Sequence, residues 1–98
     1  MITIYELYKS ILIGIGFNLI NDNTYIRNYG LCEELVYITP YQATYKLQKD
    51  KYWKESQMQH SVINNLKIAD KIEFISNFIN KTKYNFTEEL RQSRIIKE

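Results

Sequence analysis

The chain has 98 residues, a length that fits one domain, and we predict a single domain over residues 1–98. Hydrophobic residues make up 45% of it and charged residues 24%, a composition typical of a globular protein and not of a disordered one. A net charge of +2 argues against two classes, dedicated duplex-DNA binders and acidic mimics of nucleic acid. Residues 41–98 hold eleven basic and seven acidic side chains, so this half would meet any anionic partner.

Cysteine content and hydropathy bear on where the protein works. The single cysteine, Cys32, excludes a disulfide within the chain and a cysteine-based zinc site. The apolar run ILIGIGF (11–17) is too short to span a bilayer, and the amino terminus lacks the basic region and cleavage site of a signal peptide. We therefore predict a cytoplasmic protein with no membrane partner.

The amino-terminal segment has the pattern of an amphipathic helix. Thr3 and Glu6 form a capping box, in which the Thr hydroxyl accepts a backbone N–H three residues on. Apolar residues follow at helical spacing: Ile4, Leu7, Tyr8, Ile11, Leu12 and Ile15. Gly14 and Gly16 favour an end to the helix, which we predict over about residues 3–14.

Three segments rich in β-branched and aromatic residues come next: FNLI (17–20), TYIRNY (24–29) and EELVYIT (33–39). The residues Asn21-Asp22-Asn23 favour a turn between the first two. Pro40 cannot donate to a sheet ladder, so the third strand should end there.

Residues 41–57 are compatible with two structures. Thr39-Pro40-Tyr41-Gln42 could begin a helix, with Thr39 as its cap and Pro40 at its first position. A period of two instead places Tyr41, Ala43, Tyr45 and Leu47 on one side of a strand. The alternation and the aromatic content favour a hairpin that turns at Lys49-Asp50-Lys51.

A broad apolar stripe predicts a helix from His60 or Ser61 to Asn80, capped by Ser61. Residues 81–86 are predicted as a connector, and residues 87–98 as a short or frayed terminal helix. The predicted fold is α+β: an N-terminal helix, a three- to four-stranded antiparallel sheet and a long C-terminal helix. Helices on one face and water on the other would satisfy both apolar stripes.

Candidate catalytic residues are few. His60, the only histidine, has no recognisable partner and is predicted to be solvated near a helix start. Glu33 and Glu34 are strand neighbours that face opposite ways and make a poor acid–base pair. Cys32 is predicted to be a buried small hydrophobic residue. We therefore predict no enzyme, no catalytic residue, no metal site and no cofactor.

The stretch TYKLQKDKYWK (44–54) combines aromatic rings with lysines, which suits contact with an acidic protein surface or with nucleic acid. The predicted partner-binding residues are Tyr45, Lys46, Lys49, Lys51, Tyr52, Trp53 and Lys54. In the alternative interpretation Tyr45, Leu47 and Trp53 pack on the helices, and the lysines only keep a sheet edge soluble. A second candidate is the basic C-terminal segment, with a solvated tail as its alternative: Lys81, Lys83, Arg91, Arg94 and Lys97.

The order helix, three strands, helix resembles that of double-stranded-RNA-binding domains in topology alone. Those domains have a lysine-rich start to the last helix, whereas HSVINNLKIAD (60–70) holds one lysine, so no RNA-binding residue is carried over. The bias towards Ile, Asn, Lys and Tyr is typical of AT-rich genomes, such as those of low-GC bacteria and their phages. Small domains without motifs are common there, and many act by sitting on a host protein.

The leading hypothesis is a non-enzymatic inhibitor, encoded by a phage or mobile element and acting in the host cytoplasm. It would bind a host protein such as a nucleic-acid-handling defence effector, in the manner of anti-CRISPR or anti-restriction proteins. The alternative is a small nucleic-acid-binding regulatory domain that uses the basic aromatic hairpin. Either protein would be a monomer or a homodimer.

Overall fold

Five strands lie between two helices in chain order. A computed structural model describes residues 3–30 and 32–92. Its elements are α1 (Ile4–Gly14), β1 (Asn18–Asn21), β2 (Thr24–Tyr29), β3 (Cys32–Ile38), β4 (Gln42–Lys49), β5 (Tyr52–Gln59) and α2 (Ile68–Gln92), with one 3₁₀ turn at His60–Val62. The predicted α+β class, with its N-terminal helix, antiparallel sheet and long C-terminal helix, is confirmed.

Each strand of the sheet pairs antiparallel with the next, in the order β1-β2-β3-β4-β5. The sheet has five strands instead of three or four, because FNLI contributes β1 and both arms of the hairpin join the sheet. Short connections make this arrangement easy to form, since sequential antiparallel strands need only tight turns.

The amino-terminal helix has the predicted bounds and cap. The Glu6 N–H donates to the Thr3 hydroxyl oxygen at 3.1 Å. The helix ends at Gly14, and Gly16 has a φ of +102°, a conformation that a residue with a side chain rarely adopts. The chain then turns directly into β1.

The hairpin prediction for residues 41–57 is confirmed, and the helical alternative is wrong. Lys49 lies opposite Tyr52, so the turn contains only Asp50 and Lys51. Asp50 has a φ of +55°, which Asp tolerates better than most residues. The Thr39 hydroxyl accepts the N–H of Gln42 at 3.1 Å and so caps a tight turn around Pro40 instead of a helix.

Both helices pack on the same face of the sheet. The core joins apolar side chains of the two helices to alternate residues of the strands, among them Tyr8, Leu12, Phe17, Val36, Tyr45, Leu47, Ile75 and Ile79. In the described ranges no helix covers the other face. We call it the open face; its residues include Ile26, Glu33, Leu35, Tyr37, Thr44, Lys46, Trp53, Glu55 and Gln57.

The C-terminal helix differs from the prediction at both ends. It begins at Ile68 and not at residue 60 or 61, because residues 60–66 form a 3₁₀ turn and further turns in which Ile63 is buried. Its interior includes residues 81–86, so the predicted connector is wrong. Ile75, Ile79 and Thr82 keep one side of the helix buried through this part. Residues 87–92 continue the helix, and residues 93–98 lie outside the described ranges.

Among the described residues, neither helix combines the length and the apolar character needed to cross a bilayer.

Candidate functional surface

An aromatic and charged cluster lies on the open face, where β5 returns beside β4. Trp53, the only tryptophan of the chain, keeps 53% of its surface exposed. The Lys46 Nζ lies 5.0 Å from the centroid of the Trp53 ring, a cation–π distance. Glu55 lies opposite Lys46 in the register of the hairpin. The cluster therefore offers a flat ring flanked by one charge of each sign.

A second ring–lysine pair lies at the tip of the hairpin, where the register places Tyr52 on the helix side of the sheet. Tyr52 is 45% exposed, and the Lys51 Nζ lies 5.8 Å from its ring centroid. Tyr41, at the other end of β4, is 78% exposed. Two large rings thus stand in solvent near the hairpin turn, Trp53 on the open face and Tyr52 on the opposite face, each with one lysine close to it.

The structure separates the other predicted binding residues from this cluster. Tyr45 is wholly buried on the helix side of the sheet, so it is removed from the candidate surface. Lys54 also points towards the helices, where its Nζ lies 2.6 Å from the Glu89 carboxylate of α2. Lys49 keeps only 19% of its side chain exposed and lies 3.7 Å from the carboxylate of its neighbour Asp50. Strand alternation places Lys49 and Lys54 on the helix side of the sheet and Lys46 on the open face, so the three lysines form no single basic stripe.

The alternative interpretation, in which the aromatic residues pack on the helices, is right for two of its three residues. Tyr45 and Leu47 are in the core, whereas Trp53 is on the open face. The difference follows from the two-residue turn: Trp53 lies opposite Gln48, and Gln48 faces away from the helices.

The basic C-terminal candidates are partly described. Lys81 is exposed and Lys83 is half-buried on α2, and Arg91 forms an ion pair with Glu88 one turn earlier. Arg94 and Lys97 lie outside the described residues. The described members belong to a continuous helix and not to a tail.

A charged network that was not predicted from the sequence lies on the helix side of the sheet. Glu34 is wholly buried, and its two carboxylate oxygens accept from the Arg27 guanidinium at 2.5 and 3.0 Å. The Tyr45 hydroxyl donates to the same carboxylate at 2.7 Å. Arg27 also stacks 4.3 Å from the Phe17 ring centroid and donates to the Ile15 carbonyl. The two-residue period of the strands could have revealed the network, because Arg27 lies on the same face as Tyr25, and Glu34 lies on the same face as Val36.

Tyrosine ionisation is suppressed on this side of the sheet. Burial, together with the hydrogen bond to Glu34, raises the pKa of the Tyr45 hydroxyl well above its usual value. Burial alone raises the pKa of Tyr8 in the same direction. Both tyrosines stay protonated in the folded protein through the physiological range.

His60 is not the solvated residue that the sequence predicted. It is buried at the end of β5, with its Nε2 2.8 Å from the Thr39 carbonyl oxygen. Its ring lies 5.5 Å from that of Tyr8, centroid to centroid. Within the described residues, neither the His60 Nδ1 nor the Tyr8 hydroxyl has a hydrogen-bond partner. The prediction failed because the 3₁₀ turn brings His60 under α1 instead of starting a solvated helix.

The remaining reactive side chains are also confined to the interior. Cys32 is buried as predicted, and burial raises the pKa of its thiol, which disfavours the reactive thiolate. Residues 3–30 and 32–92 contain no group of three or more His, Cys, Asp or Glu side chains placed to hold a metal ion.

Comparison with protein families, with curated proteins and with solved structures finds no match to the chain. The fold and the surface define it as a small α+β domain with one face of its sheet open.

Proposed function

We propose that this protein is a non-enzymatic binding protein that contacts a protein partner through the hairpin side of its open face. The observation that carries the proposal is the exposed Trp53 ring, which stands on a strand of the sheet with Lys46 over it. Tryptophan and tyrosine are enriched among the residues that contribute most to binding at protein interfaces. A ring held by a sheet loses little conformational entropy when a partner covers it.

The distribution of charge favours a protein over nucleic acid as that partner. Lys46 shares the open face with Glu33 and Glu55, so the surface has no uniform positive potential. Lys54 lies on the opposite side of the sheet, where it forms an ion pair with Glu89. Phosphate recognition relies on several aligned cations, whereas a protein interface accommodates charges of both signs around an aromatic centre.

The buried reactive groups support a role without catalysis. His60 is packed against Tyr8 and bonded to the Thr39 carbonyl, and Glu34 is bonded to Arg27 and Tyr45. These two residues would be the natural general base and acid, and the groups that contact them have structural roles. On the open face the exposed groups are rings, lysines and carboxylates that suit contact more than chemistry.

The more specific proposal is that the protein is encoded by a phage or mobile element and inhibits a host defence effector of the CRISPR or restriction class. Blocking the nucleic-acid path of such an effector needs an interface of roughly 800 Å² per partner and no reaction. The open face of the sheet, with the exposed Trp53 ring and the charges around it, could form a contact of this kind.

The test compares two variants that each reverse the charge of one lysine and remove one exposed aromatic ring, at different places. Lys46→Glu/Trp53→Ala alters the open face. The control, called the α2 variant, is Lys67→Glu/Tyr84→Ala; it changes the residue just before α2 and one exposed ring on that helix. Each protein is expressed in a low-GC bacterium that carries a CRISPR or restriction system, and phage plaques are counted. We expect the wild type and the α2 variant to restore plaques and the open-face variant to fail while remaining folded.

A parallel capture experiment separates the two classes of partner. Tagged protein is incubated with the lysate of the same strain, with and without nuclease, and the captured effector is identified. An effector retained after nuclease treatment and lost with Lys46→Glu/Trp53→Ala supports the proposal. Captured material that disappears with nuclease, or binding that falls steeply with salt, would favour the nucleic-acid alternative. Plaques unaffected by any form of the protein would count against inhibition of that system.

A further inference from the structure

The two edges of the sheet are built differently. The β1 edge has four residues, and its register is interrupted between Leu19 and Asn21. The β5 edge has eight residues in unbroken register with β4, and it contains neither proline nor glycine. Natural proteins protect sheet edges by shortening, bulging or charging them, because an exposed edge pairs with other strands. The β1 edge shows two of these protections, whereas β5 is long and regular.

The backbone groups that β5 presents outwards can be assigned from the hairpin register. The His60 N–H donates to the Tyr41 carbonyl at 2.9 Å, and hydrogen-bonded pairs recur at every second residue of an antiparallel ladder. Tyr52, Lys54, Ser56 and Met58 therefore bond to β4. The N–H and C=O groups of the residues between them, such as Trp53, Glu55 and Gln57, point away from β4, outward in the plane of the sheet. No strand of the described ranges pairs with this side of β5.

The lysine on this strand does not protect the edge. Lys54 is turned towards α2, where its Nζ lies 2.6 Å from Glu89. The side chains next to the outward backbone groups are those of Trp53, Glu55 and Gln57, which are exposed on the open face. Among the side chains of β5, Glu55 is therefore the only one that places a charge next to the outward N–H and C=O groups.

We propose that β5 pairs antiparallel with β5 of a second copy of this chain and joins two sheets into one of ten strands. A strand edge of this kind is complementary to itself, because a twofold axis matches each outward donor with an outward acceptor. An axis at Ser56 sets Glu55 opposite Gln57 and Trp53 opposite Gln59 of the second copy. That register avoids the Glu55–Glu55 repulsion that an axis at Glu55 would create.

This pairing leaves the open face uncovered and places two copies of it side by side, so it does not depend on the proposed function. A contact limited to one strand edge is small beside the roughly 1,200–2,000 Å² of a stable interface. The dimer is therefore expected to form and dissociate with protein concentration.

Sedimentation of the full chain over a wide range of concentration tests the proposal with a matched pair of variants. Gln57→Pro removes an outward N–H that β4 does not use, a position where an edge strand accepts proline. Gln57→Thr removes the same side chain and keeps the N–H. We expect the wild type and Gln57→Thr to dimerise and Gln57→Pro to remain monomeric with an unchanged circular dichroism spectrum. A monomeric wild type at all concentrations, or a dimer that survives in folded Gln57→Pro, would overturn the proposal.

Amide hydrogen exchange of the wild type keeps the test decisive if Gln57→Pro does not fold. At low concentration the N–H groups of Lys54 and Ser56 should be protected and those of Glu55 and Gln57 should exchange freely. At high concentration all four should be protected. A dimer in which Glu55 and Gln57 exchange as fast as in the monomer would show that another surface is used, and the edge would then be free for a strand of a different protein.

Discussion

Single residues on the helix side of the sheet combine charge with complete burial. Glu34 has no exposed surface and accepts from both Arg27 and Tyr45. A buried carboxylate of this kind is tolerated only when its lone pairs are satisfied and a counter-charge is adjacent. Removing one partner therefore costs far more than the net value of the pair.

We expect Glu34→Gln to lower the free energy of unfolding by about 3 kcal/mol, the lower end of the range for a broken buried pair, because Arg27 stays partly exposed. Glu33→Gln makes the same change on the opposite face of the same strand and should cost no more than about 0.5 kcal/mol. Urea denaturation of both variants measures the difference. Equal losses in the two variants would show that the Arg27–Glu34 pair is not a structural element of the core.

At the scale of elements, the central question is the continuity of α2. Residues 81–86 contain no proline or glycine, and the buried positions Ile75, Ile79 and Thr82 recur at helical spacing up to Thr87. Residues 81–86 have the polar composition of a connector, and tertiary packing keeps them helical.

Substitutions at Asn85, which is exposed in the interior of α2, test this continuity. Asn85→Pro should cost about 3 kcal/mol or more, because it removes a helical hydrogen bond and clashes with the preceding turn. Asn85→Ala should stabilise the protein by about 0.5 kcal/mol through helix propensity. Thermal unfolding followed by circular dichroism reports both changes. A connector would tolerate proline and gain nothing from alanine, so near-identical stabilities would contradict the continuous helix.

At the scale of the whole molecule, one layer of helices covers one face of a five-stranded sheet, and ionisable tyrosines lie between the layers. The pKa values of Tyr8 and Tyr45 are raised in the folded state by burial. Above a pH of about 10 the unfolded chain releases these protons and the folded chain keeps them. The stability from these groups is therefore fully present below pH 10 and is lost as the pH rises above it.

The free energy of unfolding should fall above pH 10 by about 1.4 kcal/mol per pH unit for each of the two tyrosines. Tyr8→Phe should make this slope shallower by about one such increment, and it also removes a buried hydroxyl that lacks a partner. Tyr84→Phe, at a side chain that is 66% exposed, is the matched control. Urea titrations between pH 8 and pH 11 supply the slopes, and the explanation fails if both variants change them alike.

The sequence by itself determined the elements whose signals are local. The Thr3 cap with its apolar stripe specified α1, the alternation around Tyr45 specified β4, and the turn residues Lys49-Asp50-Lys51 specified the hairpin. Such signals work because capping, side-chain period and turn chemistry depend on neighbours along the chain.

Only the tertiary structure decided which of the candidate residues share a surface. It buried His60 beneath α1, joined Arg27 to Glu34 across two strands, directed Lys54 to Glu89 and left Trp53 with Lys46 on the open face. It also extended α2 through a polar segment. These outcomes depend on strand register and on contacts between residues far apart in sequence, which compete with local preference and override it where burial is at stake.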